Sequence, residues 1–232
     1  SYKKVDLTIQ SSNITELSYL KKNKILFVVD AGLAQSMVNL CTGAFLTAYA
    51  IYLGGDYLSI GILNAILCFG LIIQIPSTLL IERYPQNRKS IAVRMLTLSR
   101  ILLILSGILP FALPKEYRFG SFFILYSGFV LIGNIGGCAF GAWFRDAFPP
   151  LMLYQVITNR FTISILSGAI VSLLTGVAIE IIKRHSLSLV GYAYSYTFVL
   201  SGVFGLGSSI ALYLIHTKNI PNNNTNTRKL GI

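Results

Sequence analysis

The sequence predicts an all-α, polytopic membrane protein with six transmembrane helices. Three observations carry that prediction: the composition, the length of the apolar runs, and the sidedness of the charge. Of 232 residues, 54% are hydrophobic and 12% charged, and the mean hydropathy is +0.68. Soluble domains carry about 25% charged residues. A chain this poor in charge cannot cover its surface with polar groups in water, whereas lipid requires no such cover. The formal net charge of +11 would suggest nucleic acid in a soluble protein. Here the basic residues fall almost entirely in short segments between apolar runs, so membrane orientation accounts for them and no nucleic-acid partner is expected.

A hydrocarbon core ~30 Å thick is crossed by about 20 apolar residues in a helix. Six runs qualify: residues 25–53 (with the crossing itself starting near Ala31), 57–81, 91–113, 121–144, 161–182 and 189–215. Helices are expected because lipid offers no partner for an unpaired backbone amide. A β-barrel would instead show segments of about ten residues alternating in polarity. The expected organisation is a polar segment at 1–24, a six-helix bundle at 25–216 and a polar tail at 217–232. Between the spans lie turn signals: Gly54, Gly55 and Asp56; the charged stretch from Glu82 to Lys89; Pro110 and Pro114; and Pro149 and Pro150. No cleavable leader is visible in residues 1–24, which hold Lys3, Lys4, Lys21, Lys22 and Lys24 but no apolar run.

Orientation follows from Lys and Arg. Fourteen of the nineteen lie in the N-terminal segment, the turns at 82–94 and 145–160, and the tail; four (Lys115, Arg118, Lys183 and Arg184) lie on the opposite side. That bias puts both termini in the cytoplasm, with the plasma (inner) membrane as the expected location.

Apolar side chains gain little by leaving lipid for another helix, so close packing of small residues has to supply much of the association. Gly133, Gly137 and Gly141 repeat every four residues in the fourth span. Ser164, Gly168, Ser172 and Gly176 do so in the fifth, and Ser201, Gly205 and Ser209 in the sixth. Each set shares one helix face and predicts a tight helix crossing. Cys41, Cys68 and Cys138 lie within apolar runs and read as small packing residues.

Polar groups at membrane depth need a partner or a wet cavity. Gln35 and Asn39 stand one turn apart in the first span, Asn64 and Gln74 lie in the second, and Asn134 in the fourth. Gln35, Asn39, Asn64 and Asn134 are the candidate solute contacts; the alternative is hydrogen bonding between helices. Arg100 is the one basic group well inside a span. With a helix starting at Ile91 it lies about 13 Å along the axis, within reach of the cytoplasmic surface by snorkelling or of Asp30 or Asp146 as partner. Deep carboxylates, the usual proton carriers, are missing from mid-span, which argues against proton coupling. Pro76 removes an amide donor and is expected to kink the second span.

No catalytic arrangement appears. His185 and His216 are far apart, no Ser stands in a G-x-S-x-G turn, and there is neither a phosphate-binding loop nor a metal-ligand cluster. An enzyme, a cofactor and a metal are therefore not expected.

The order of features resembles the N-terminal half of the major facilitator superfamily. In that family the turn after the second helix has the form G-x-x-x-D-R-x-G-R-R. Here Glu82-Arg83 matches the acid–basic pair and Arg88-Lys89 the closing basic pair, while the glycines are absent and the spacing is about two residues longer. The run from Ala142 to Pro150, followed by Asn159-Arg160, is similar to the family's connection between its fourth and fifth helices. The resemblance covers residues 25–216 and implies a cytoplasmic gate of Glu82, Arg83, Arg88 and Asp146, with Asp146 paired to Arg83 or Arg88. It further implies a secondary transporter moving a small solute by alternating access, through a cavity lined by the first, second, fourth and fifth helices. Such transporters have two six-helix halves, so the chain is expected to act as one half, alongside a second half or a copy of itself, or to be a fragment. The rival expectation is a non-transporting scaffold or assembly subunit.

Overall fold

The computed structural model describes the backbone at residues 2–186 and 189–215, and side chains from Tyr19 onward within that range except Pro110, Pro150 and Leu151. The tail expected at 217–232 lies outside the described residues. The elements are α1 (Tyr2–Cys41), α2 (Gly43–Tyr52), α3 (Tyr57–Ile72), α4 (Gln74–Arg83), a 3-10 turn at Pro85–Asn87, α5 (Arg88–Ala112), α6 (Lys115–Asp146), α7 (Pro150–His185) and α8 (Val190–Tyr213). There is no strand among the described residues. Six helical stretches are long and apolar enough to cross a bilayer, so the chain is an all-α polytopic membrane protein.

Two spans are broken helices. The first passes from α1 to α2 at Thr42, where Gly43 adopts φ +60°. Only glycine takes that conformation without strain. The second span is interrupted at Ile73, between α3 and α4. Pro76 has no N–H to offer the carbonyl four residues back, and its ring crowds that turn. The Ser77 amide and hydroxyl both donate to the Ile73 carbonyl, at 3.2 and 2.6 Å. Pro110 does not end the third span, since α5 runs through it to Ala112.

A short loop joins α2 to α3, with Gly54 at φ +94°. Asp56 then caps α3 by accepting from the Ser59 amide at 3.1 Å. That bond favours the charged carboxylate, so Asp56 titrates below the usual range.

The helices pack in the order α7, α1, α8, α5, α6, and then α3 with α4. In spans this is fifth, first, sixth, third, fourth, second. The end members are the most exposed: 17% of the apolar window is buried in the second span and 11% in the fifth, against 56% in the sixth. Exchanging first with fourth, second with fifth and third with sixth reverses the order and leaves every neighbour unchanged. Exchanged spans are three crossings apart, so they run in opposite directions. The chain is thus two inverted three-span repeats.

The sequence carries a trace of the repeat. Asn39, Ala44 and Phe45 are matched 95 positions later by Asn134, Ala139 and Phe140, and Leu105-Ser106-Gly107 by Leu200-Ser201-Gly202 (39 and 134, 107 and 202). The α5–α8 crossing is self-complementary at this offset. Gly107 lies against Val199, with 2.8 Å from a would-be Cβ to Cγ2, and Gly202 lies against Ile104. Ile104 and Val199 are themselves 95 apart (104 and 199).

The interior has two main clusters. Tyr49, Phe122, Tyr126 and Phe198 pack at one end, where the Tyr126 hydroxyl donates to the Cys41 carbonyl at 3.0 Å across the α1–α2 break. Phe27, Trp143, Phe144, Phe148 and Val156 pack at the other.

The small-residue stripes are used unevenly. In α8, Ser201 donates to the Met37 carbonyl at 2.9 Å, and Gly205 lies against Met37 and Arg100. In α7, Gly168 is packed closely but Gly176 meets nothing. In α6, Gly133 faces Ser99, whereas Gly137 and Gly141 face open space. The fourth-span stripe therefore does not make the continuous tight crossing expected of it.

Candidate functional site

Polar side chains collect in three places. The first is a pair of matching crossings. On α1, Gln35 donates to Asn39 at 2.8 Å, and both lie over Gly168 of α7, where an added Cβ would stand 2.7 Å from Asn39 Nδ2. On α6, Asn134 accepts from Gln74 of α4 at 2.8 Å and lies over Gly70 of α3, where the same distance is 2.5 Å. Each asparagine thus sits on a glycine of the neighbouring peripheral span, and the two arrangements exchange under the repeat. Asn64 does not join them. It is exposed and bonds back to its own helix at Ile60.

The second place is the end of the bundle carrying the turn at 82–94. Arg88 and Asp146 form an ion pair at 2.5 Å, tying the start of α5 to the end of α6. A groove of about 470 Å³ between α4 and α6 runs beside the pair, lined by Thr78, Glu82, Cys138, Gly141 and Arg145 as well. Glu82, Arg88 and Asp146 therefore share one groove, while Arg83 is exposed and does not line it. Lys89 reaches across to donate to the Ile215 carbonyl at 2.5 Å, joining α5 to the end of the sixth span.

The third place is a buried charge network. Asp30 is 2% exposed and Arg100 3% exposed. Asp30 accepts from Ser208 at 2.5 Å and from Arg160 at 3.1 Å. Arg160 also donates to the Phe27 carbonyl at 2.7 Å, and the rings of Phe27, Phe140 and Phe144 surround its guanidinium at 5.7, 4.9 and 5.0 Å. Arg100 donates to Ser208 at 2.9 Å and to Ser209. The network binds α1, α5, α7 and α8 together.

These contacts revise the sequence expectations for the charges. Arg100 does not snorkel. It is buried, and its direct partners are two serines rather than Asp30 or Asp146, which are taken by Arg160 and Arg88. Two arginines in so small a space need a shared acceptor, and the Ser208 hydroxyl relays Arg100 to the one carboxylate within reach. Asp30 is also a carboxylate held inside the bundle. In the sequence Ser209 stands out only as a small residue of the sixth-span stripe and Ser208 not at all, because a serine in an apolar helix does not show which polar group it faces.

The fold and these polar clusters together define an integral membrane bundle of two inverted repeats with a salt-bridged end. No protein family, curated protein or solved structure matches the chain.

Proposed function

We propose that the chain is one half of a secondary transporter of the major facilitator type, moving a small solute by alternating access. The observation that carries this reading is the inverted pairing of three spans with three, repeated in the Asn39–Gly168 and Asn134–Gly70 crossings. Inverted repeats of this kind supply two structurally equivalent gates, one for each side of the membrane. Gln35, Asn39 and Asn134 offer amide donors and acceptors to a solute. The Arg88–Asp146 pair, with Glu82 and Arg83 nearby, is the cytoplasmic gate: an ion pair between two helix ends latches one conformation and parts in the other. A second copy, a separate six-helix chain or further sequence supplies the facing half. Both termini lie in the cytoplasm and the membrane is the plasma (inner) membrane.

The test is uptake into proteoliposomes from a panel of radiolabelled small solutes. Asp146→Asn and Asn39→Ala should each lower uptake at least ~10-fold, a loss of about 1.4 kcal/mol in the limiting step. Uptake unchanged in both variants would remove the site. One observation favours the rival, a non-transporting assembly subunit: the amides of Gln35 and Asn39, and of Gln74 and Asn134, already satisfy one another. Under that reading no solute in the panel accumulates, and the Asn39→Ala variant loses stability instead.

A further inference from the structure

A second groove, of about 220 Å³, lies where α1 meets α7, lined by Lys24, Tyr154, Gln155, Thr158 and Asn159. Its chemistry is one-sided. It presents an ammonium, two amides and two hydroxyls, and no carboxylate. The Thr158 hydroxyl is spent on the Tyr154 carbonyl at 3.1 Å. The Lys24 ammonium and the Gln155 and Asn159 amides have no hydrogen-bond partner among the described residues. Free donors converging around a cation suit an anion rich in acceptor oxygens.

Depth says which anion. The apolar run of the first span starts at Ile25 and that of the fifth at Phe161, so Lys24 and the residues 154–159 stand within two turns of where both helices enter the hydrocarbon. That is the level of lipid headgroups. Lys21 shares a face with Lys24, three positions on, and Tyr154 is 75% exposed, as an aromatic in the interfacial belt would be. Further into the membrane the same side of α7 is apolar and open: Ile163, Leu166 and Ile170 follow Asn159 at helical spacing and are all exposed. A polar pocket at headgroup level with an apolar stripe running inward has the form of a phospholipid. Basic pockets between transmembrane helices are known hosts for acidic headgroups.

We propose that the α1–α7 groove binds the phosphate of an anionic phospholipid, with Lys24 as the charge partner, Gln155 and Asn159 as donors, and an acyl chain along Ile163, Leu166 and Ile170. The site does not depend on the chain being a transporter.

The full chain, purified in detergent and incubated with equimolar phosphatidylglycerol and phosphatidylcholine, is examined by native mass spectrometry. Phosphatidylglycerol should be retained in preference. Lys24→Gln should lower its retention about fivefold, the equivalent of ~1 kcal/mol for one basic residue at the membrane surface. Asn159→Ala should lower it without any change of charge. Lys22→Gln, an exposed lysine outside the groove, should leave it within about twofold. Equal losses in Lys22→Gln and Lys24→Gln would show diffuse surface attraction and overturn the site, as would equal retention of the two lipids. Displacement of the lipid by millimolar inorganic phosphate would reassign the groove to a soluble anion and overturn the lipid. If Lys24→Gln does not fold, Asn159→Ala decides: retention at the level of the unmutated chain rejects the proposal.

Discussion

Asp30 faces two guanidiniums and balances only one of them. It bonds Arg160 directly and reaches Arg100 through Ser208. Its removal would leave the Arg100 and Arg160 guanidiniums with hydroxyl and carbonyl acceptors but no carboxylate to balance their charge, whereas removal of Arg100 leaves an intact Asp30–Arg160 pair and two serines able to bond back to their own helix. Breaking a buried pair from one side costs ~3–5 kcal/mol, while a buried hydrogen bond lost from a group that can re-pair costs about 1 kcal/mol. Asp30→Ala should therefore lower the thermal midpoint in detergent far more than Arg100→Met does. Equal losses would mean that Arg100, not Asp30, organises the cluster. At this scale the sequence was only partly legible. A partner for Asp146 in the turn at 82–94 was implied by the family resemblance, which left Arg83 and Arg88 both open. Asp30 with Arg160 could not be anticipated, because they lie on helices distant in sequence whose adjacency comes only from the packing order. The amides show the same limit: Gln35 with Asn39 is a local one-turn pair, but Gln74 with Asn134 joins two spans.

The elements themselves were the most legible feature, because a run of apolar residues long enough to span lipid admits almost one structure. What the runs concealed was their interruptions. The break at Thr42 comes from one glycine in a positive-φ conformation, and no proline marks it. The glycine stripes named the right residues without saying which of them face a neighbour, since a four-residue period fixes a common face and not its direction. The α5–α8 crossing shows the consequence. Gly107 and Gly202 have no room for a side chain, whereas Gly137 has open space around it. Overpacking costs ~1–3 kcal/mol, so Gly202→Val should destabilise by that order and Ile104→Ala should recover part of the loss, while Gly137→Ala should leave the midpoint in thermal unfolding unchanged. At the head of α3 the Asp56 cap adds a pH dependence. Its carboxylate is bonded in the folded chain and titrates below its free value. The cap is thus in place at neutral pH and is lost as pH falls through the depressed value. The Ser59 amide shift, followed by NMR in acid, should titrate below the ~3.9 of a free aspartate; a midpoint above that value would mean the cap is not formed.

At the scale of the whole molecule, the repeat was present in the sequence and is seen by comparing it with itself at an offset of 95, where Asn39 meets Asn134 and Gly107 meets Gly202. The second and fifth spans add scattered matches such as Asn64 with Asn159 and Ser77 with Ser172, but each match is short, so only the packing order makes the symmetry plain. Its consequence is mechanical. If Asn39 over Gly168 secures the first span against the fifth, then Asn134 over Gly70 secures the fourth against the second in the opposite orientation. Loosening one crossing should favour opening on one side of the membrane, and loosening the other should favour the other side. An equilibrium between two conformers of similar energy is shifted severalfold by about 1 kcal/mol, which is the size of one lost amide hydrogen bond. Asn39→Ala and Asn134→Ala should consequently change the labelling rates of single cysteines at the two ends of the bundle in opposite directions, at positions such as Arg83 and Tyr117. The folded bundle should survive both changes, because neither asparagine belongs to the aromatic clusters or to the Asp30 network. Shifts of the same sign would show that the two crossings do not act as mirror-related gates, whatever the symmetry of the helices that carry them.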